Sequence, residues 1–137
     1  IEVFPENVKI DQPKLGSEQL FNKLHDLMLS TDRDSLIYLH GYSTSFHEAL
    51  ATGFALQGAL RKKNGPQVNV IVFTWPSDDS IAPWKAYKSD RQDARATGPA
   101  FGRAFLKLRD FLQDIPPEKA CHRKIHLLCH SMGNYVL

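Results

Sequence analysis

No apolar run in this chain of 137 residues approaches the roughly 18 residues that a membrane-spanning helix needs, so no transmembrane segment is expected. Charge of one sign is also missing as a block. The 17 Lys and Arg are scattered among 15 Asp and Glu, for a formal net charge of +2. Such a balance leaves no basic footprint for nucleic acid or an anionic membrane. Cysteine is scarce, and Cys121 and Cys129 lack the spacing of a metal cluster. Cys129 falls in an expected strand, so both are read as buried free thiols rather than a disulfide. Neither G-x-G-x-x-G nor G-x-x-x-x-G-K-[ST] follows an expected strand, which removes a nucleotide-binding domain. There are no repeats or low-complexity tracts. The chain opens at Ile1 rather than Met and shows no signal-peptide pattern. Its N-terminus is therefore expected to be cut, the compartment is unread beyond a cytoplasmic default, and the oligomeric state is unread.

What is present is ordinary for a globular domain: 42% hydrophobic and 23% charged residues, in a chain long enough for one domain with a core. Residues 1–34 read as a lead-in and a helix, and residues 35–137 as core strands, helices and a terminal turn. Ile1 to Gly16, with Pro5 and Pro13, is an irregular or edge-strand lead-in. Ser17 caps a helix to about Leu29 with Leu20, Leu24, Leu27 and Met28 on one face. Ser35 to His40 is a short buried strand. Ser45 and Glu48 form a capping box, and the helix they open carries Phe46, Ala49, Leu50, Gly53, Leu56 and Leu60 at helical spacing. It ends at Arg61-Lys-Lys-Asn-Gly65, a helix stop rather than a nucleic-acid patch. Val68 to Thr74 is the clearest strand. Lys85 to Asp114 reads as helix, with Gly98-Pro99 predicting a kink or a second helix starting near Pro99. Its second half shows a stripe at Phe101, Phe105, Leu108 and Leu112. Lys124 to Cys129 is the next strand, and a helix is expected from Met132 to Leu137. Alternating strands and helices predict an α/β fold with a mostly parallel sheet flanked by helices.

Ligands bind such sheets outside the carboxyl ends of the strands. Two unusual sequences fall there: His40-Gly41-Tyr42-Ser43 after the first strand, and Cys129-His130-Ser131-Met132-Gly133 after the third. In the second, an apolar strand runs without a loop into a serine between small residues, and a new apolar segment follows. A strand, a sharp turn and a helix expose the serine hydroxyl at the apex and aim a helix start at it. A serine attacking an acyl carbon generates an oxyanion that needs preorganised N–H donors. Met132 supplies one, and Tyr42 supplies the other from a loop that Gly41 allows to approach closely. Losing one such donor costs about 10²–10³ in rate.

These residues resemble the α/β-hydrolase superfamily, whose turn motif is G-x-S-x-G. Here the first glycine is Cys129, still a small side chain. HGYSTSF at 40–46, FTWPS at 73–77, Tyr87 to Ala94 and HSMGN at 130–134 resemble a bacterial group of predicted hydrolases catalogued as a domain of unknown function. The resemblance covers roughly residues 35 to 137. It implies a sheet in which the strand ending at His40 lies between the strand ending at Cys129 and the strand 68–74. It also implies a triad acid and a His that follow the serine. Both are expected beyond residue 137, so the fold is expected to be truncated after the nucleophile turn and the isolated chain inactive. The apolar edge at 124–129 is then expected to drive association.

The reading is a serine esterase or lipase-like hydrolase. Ser131 is the nucleophile, Tyr42 and Met132 are the oxyanion donors, and His40 and Gly41 form the supporting loop. The substrate is a small acyl compound, and no metal or cofactor is implied. The alternative is a non-catalytic scaffold of the same fold. His40 is expected to order its loop rather than act as a base, and the His130 ring to point away from the hydroxyl. His47 is assigned to a helix face, and His122 and His126 to structural roles. Asp78 and Asp79 are read as a solvated loop, and Asp90 and Asp93 as a charged helix start. Trp75 and Trp84 either line a pocket or pack in the core.

Overall fold

The computed structural model describes residues 16–61, 67–77 and 83–137. The lead-in before Gly16, most of the basic stop at 61–65, and Asp78 and Asp79 lie outside the described residues. Three strands form one parallel sheet in the order β2-β1-β3: β1 is Asp34–Leu39, β2 is Val68–Phe73 and β3 is Ile125–Cys129. The first strand is therefore central, as the resemblance implies. Leu39 pairs with Phe73 on one side and Cys129 on the other. All three carboxyl ends thus finish at one level, and both glycine-bearing turns leave from there.

Because side chains alternate along a strand, the register sorts residues into two faces. Ile37, Leu39, Ile71 and Phe73 point to one face, where they join Phe21, Leu24 and Met28 of α1 (Gly16–Thr31) and Phe101 and Leu108 of α3 (Pro83–Gln113). Val70 and Val72 point to the other, beneath α2 (Phe46–Leu60). A Cβ on Gly53 would collide with Val72 Cγ2, so that glycine sets how closely α2 lies on the sheet. Helices on both faces are what a parallel sheet requires. The α2 start shows the full capping box: Glu48 N–H donates to Ser45 Oγ, and Ser45 N–H donates to Glu48 Oε2 at 2.8 Å. Those bonds to Ser45 hold the Glu48 carboxyl below its ordinary value.

Three expectations need correction. First, no second helix starts near Pro99: α3 is one element that contains it. Proline removes one ladder bond, to the carbonyl of Arg95 four residues earlier. Pro99 and Arg95 are both exposed, so water can serve that carbonyl. Second, the segment after Ser131 is a 3-10 turn, Ser131–Tyr135, rather than an α-helix. Runs this short favour the tighter winding. Third, Cys121 and Cys129 are free thiols but only half-buried. Leu127 and Leu128 are each 39% exposed, because among the described residues β3 pairs on one side only.

Candidate active site

The turn after β3 is tight because four polar contacts close it. Gly133 N–H donates to His130 C=O at 2.9 Å and Val136 N–H to Gly133 C=O at 3.2 Å. Asn134 Nδ2 donates to Ser131 C=O at 2.8 Å and more weakly to Cys129 C=O at 3.4 Å. Met132 and Val136 are buried in the core and anchor the turn from below. Ser131, between them and the strand, is exposed and sits at φ 50°, a region uncommon for residues other than glycine. Met132 is the second residue of the 3-10 element, so its N–H has no acceptor within it. Gly133 lets the turn sit against β1: a Cβ there would lie 2.7 Å from both the Leu39 and His40 carbonyl oxygens.

The loop after β1 meets this turn directly. A Cβ on Gly41 would stand 2.7 Å from His130 Nδ1 and 3.2 Å from Ser131 Cβ. The His130 ring therefore lies over Gly41. His40 is buried, and both of its ring nitrogens are engaged. Trp75 N–H donates to Nε2 at 3.2 Å, which leaves Nδ1–H to donate to Gly41 C=O at 3.0 Å. Trp75 Nε1–H donates in turn to His40 C=O at 3.0 Å, and the two rings stack with centroids 5.0 Å apart. These contacts tie His40 to Trp75 and to the peptide that follows Gly41.

Residues 17–137 match the family described as "Alpha/beta hydrolase of unknown function (DUF900)". The chain belongs to the alpha/beta hydrolases. The match takes in α1 as well as the residues from 35 onward that carry the motifs. No curated protein and no solved structure matches.

Elsewhere in this hydrolase, several residues differ from their sequence reading. Asp90 is not a solvated helix start. It is fully buried, and its Oδ2 accepts Ser43 N–H at 3.0 Å and the Ser77 hydroxyl at 2.6 Å. Ser77 Oγ also accepts Thr44 N–H at 3.2 Å. Asp90, Ser77, Ser43 and Asn134 are the residues that sequence reasoning missed. Trp75 is a core residue, whereas Trp84 is 84% exposed.

His25 bonds the Lys119 carbonyl, His126 pairs with Asp34 at 3.0 Å, and His47 and His122 are exposed. Among the described residues no histidine hydrogen-bonds Ser131 Oγ. Burial raises the Cys129 thiol above its ordinary value, so it stays protonated at neutral pH two residues from Ser131. No group of His, Cys, Asp and Glu among the described residues is arranged to hold a metal, and no described helix is long and apolar enough to cross a membrane. An apolar cavity of about 320 Å³ lies between α1 and α3, lined by Leu20, Leu24, Ile37, Phe73 and Phe105 among others. Ser131 and Gly41 do not line it.

Proposed function

We propose that this alpha/beta hydrolase is a serine hydrolase that cleaves an ester-like acyl bond of a small-molecule substrate through an acyl-enzyme on Ser131. One observation carries the reading: an exposed serine at φ 50° stands against Gly41, whose missing side chain lets the two turns touch. A strained backbone position at a strand-to-helix turn is where a nucleophile is presented.

In this mechanism Ser131 Oγ attacks the carbonyl carbon and its proton passes to a general base. The C=O electron pair moves onto oxygen, and the resulting oxyanion is held by the N–H groups of Tyr42 and Met132. Collapse expels the alcohol, which takes the proton from the base. Water then repeats the sequence and releases the acid. His40, through the Gly41 carbonyl, keeps the first donor peptide in place. Because no histidine among the described residues hydrogen-bonds the hydroxyl, the reading leaves the base to a histidine brought up by groups outside the contacts described above, oriented by an acid. Ester chemistry is preferred to amide chemistry because the ester carbonyl is the more reactive.

That same lack of a histidine at Ser131 Oγ favours the second reading, a non-catalytic scaffold. Turnover of p-nitrophenyl acetate by the complete protein separates them. The hydrolase reading expects turnover that falls by at least about 10³-fold in Ser131→Ala. Turnover that survives this substitution refutes the assignment of Ser131, and a complete protein inert toward a panel of p-nitrophenyl esters supports the scaffold.

A further inference from the structure

The buried carboxylate of Asp90 lies one hydrogen bond from the loop that faces Ser131, and no step of the mechanism above uses it. We infer that Asp90 is a positioning residue for the oxyanion donor at Tyr42, an inference that rests on the reading of Ser131 as the nucleophile.

The argument follows the two peptide units that flank the Tyr42 Cα. The first, between Gly41 and Tyr42, has its carbonyl held by His40 Nδ1–H at 3.0 Å. No peptide bond among the described residues is cis, so Tyr42 N–H points opposite to that carbonyl. The second, between Tyr42 and Ser43, is held at both ends. Its carbonyl accepts the Thr44 hydroxyl at 3.1 Å, and its N–H donates to Asp90 Oδ2 at 3.0 Å. Ser43 itself is at φ 48°, a conformation that a non-glycine residue keeps only when its surroundings enforce it.

Asp90 enforces it twice. It binds Ser43 N–H directly, and it orients the Ser77 hydroxyl, which accepts Thr44 N–H. One group on α3 thereby holds two successive loop N–H groups and the residues that follow β2. Without it, the second peptide can rotate about Tyr42 and carry the first with it, and the donor leaves the position where negative charge develops. A buried carboxylate is costly unless its oxygens are satisfied. Here the donors that satisfy it are the atoms that shape the loop.

The test uses the complete protein and kcat per active site, counted by titration, for an ester and the matching thionoester. A thionoester places sulfur, a poor hydrogen-bond acceptor, where the oxyanion oxygen would sit, so a well-aimed donor pair discriminates against it. Asp90→Ala is expected to lower ester kcat by about 10²-fold with KM near the parental value, and to shrink the ester-to-thionoester ratio. Asp90→Asn places an amide oxygen where Oδ2 accepts both bonds, and is expected to restore most of the rate and the ratio. If Asp90→Ala does not fold, Ser77→Ala is expected to lower kcat and the ratio in the same direction, by less. An unchanged ratio, or an ester kcat per active site within about threefold of parental, overturns the inference while leaving Ser131 intact. Turnover that survives Ser131→Ala overturns the nucleophile reading itself.

Discussion

Replacing Gly133 by alanine tests how closely the serine turn must sit against the central strand. The added methyl would lie 2.7 Å from the carbonyl oxygens of both Leu39 and His40 and 3.2 Å from the Leu39 carbonyl carbon. Both oxygens belong to the main chain, and neither can move cheaply. Leu39 is paired to β2 and β3, and its carbonyl accepts His130 N–H at 3.0 Å. Reaching ordinary contact requires a displacement of about 0.7 Å at two sites at once, and overpacking of this kind costs about 1–3 kcal/mol. The upper half of that range is expected because no side chain can absorb the strain. If the turn moves instead, Met132 N–H draws away from the loop, and a misplacement of about 1 Å costs about 10²-fold in rate. Gly58→Ala is the control: it lies in α2 where a Cβ meets nothing within 4 Å, and the change should stabilise by about 0.5–1 kcal/mol. Urea unfolding followed by circular dichroism, with ester turnover on the same samples, measures both effects. A Gly133→Ala protein as stable and as active as the parent refutes the close-packed turn.

Other consequences can be checked independently. The Asp34 carboxyl is held below its ordinary value of 3.8 by the His126 side chain and then by Lys124 N–H. A lowered carboxylate contributes stability above that value and loses it as pH falls through the lower, folded-state value. Asp34→Asn should therefore cost about 0.5 kcal/mol at neutral pH, and the difference from the parent should shrink below pH 3.8 in urea titrations. The Cys129 thiol, raised by burial from an ordinary 9.0, should resist iodoacetamide at neutral pH, and the treated protein should keep its ester turnover. Rapid alkylation with loss of activity would mean a thiolate competes with Ser131. Ser35 is fully buried in β1, and its hydroxyl has no hydrogen-bond partner among the described residues. Ser35→Ala should raise stability by up to about 1 kcal/mol, and a loss of more than that in urea unfolding would indicate a partner for the hydroxyl.

Local pattern was enough for the strands and for the α2 cap. Val68 to Phe73 is β-branched and apolar, and Ser45 and Glu48 satisfy each other within one turn. Strand order came from the family resemblance, since three similar apolar runs do not say which lies in the centre. Whether Gly98-Pro99 divides α3 into two helices was illegible, because the pair carries the same breaker signal inside one helix as between two. A Cβ on Gly98 would stand 3.1 Å from the Val136 carbonyl, so the glycine serves the approach of the serine turn rather than a helix end. Asp90 was missed for a different reason. In a run of Asp, Arg, Gln and Asp it reads as a solvated helix face, and its partners Ser43 and Ser77 lie 47 and 13 residues away. Only the fold brings them together. His40 was read as an organiser of its loop, but its ring contacts to Trp75 and Gly41 were not legible, because Trp75 lies 35 residues away in the sequence.

The most direct test of Ser131 is covalent. The complete protein is treated with a fluorophosphonate probe, digested, and the adduct is mapped by mass spectrometry. The account predicts one stoichiometric adduct on the peptide containing Ser131, absent from Ser131→Ala. An adduct on another residue, or ester turnover by a preparation in which Ser131 stays unlabelled, would contradict it.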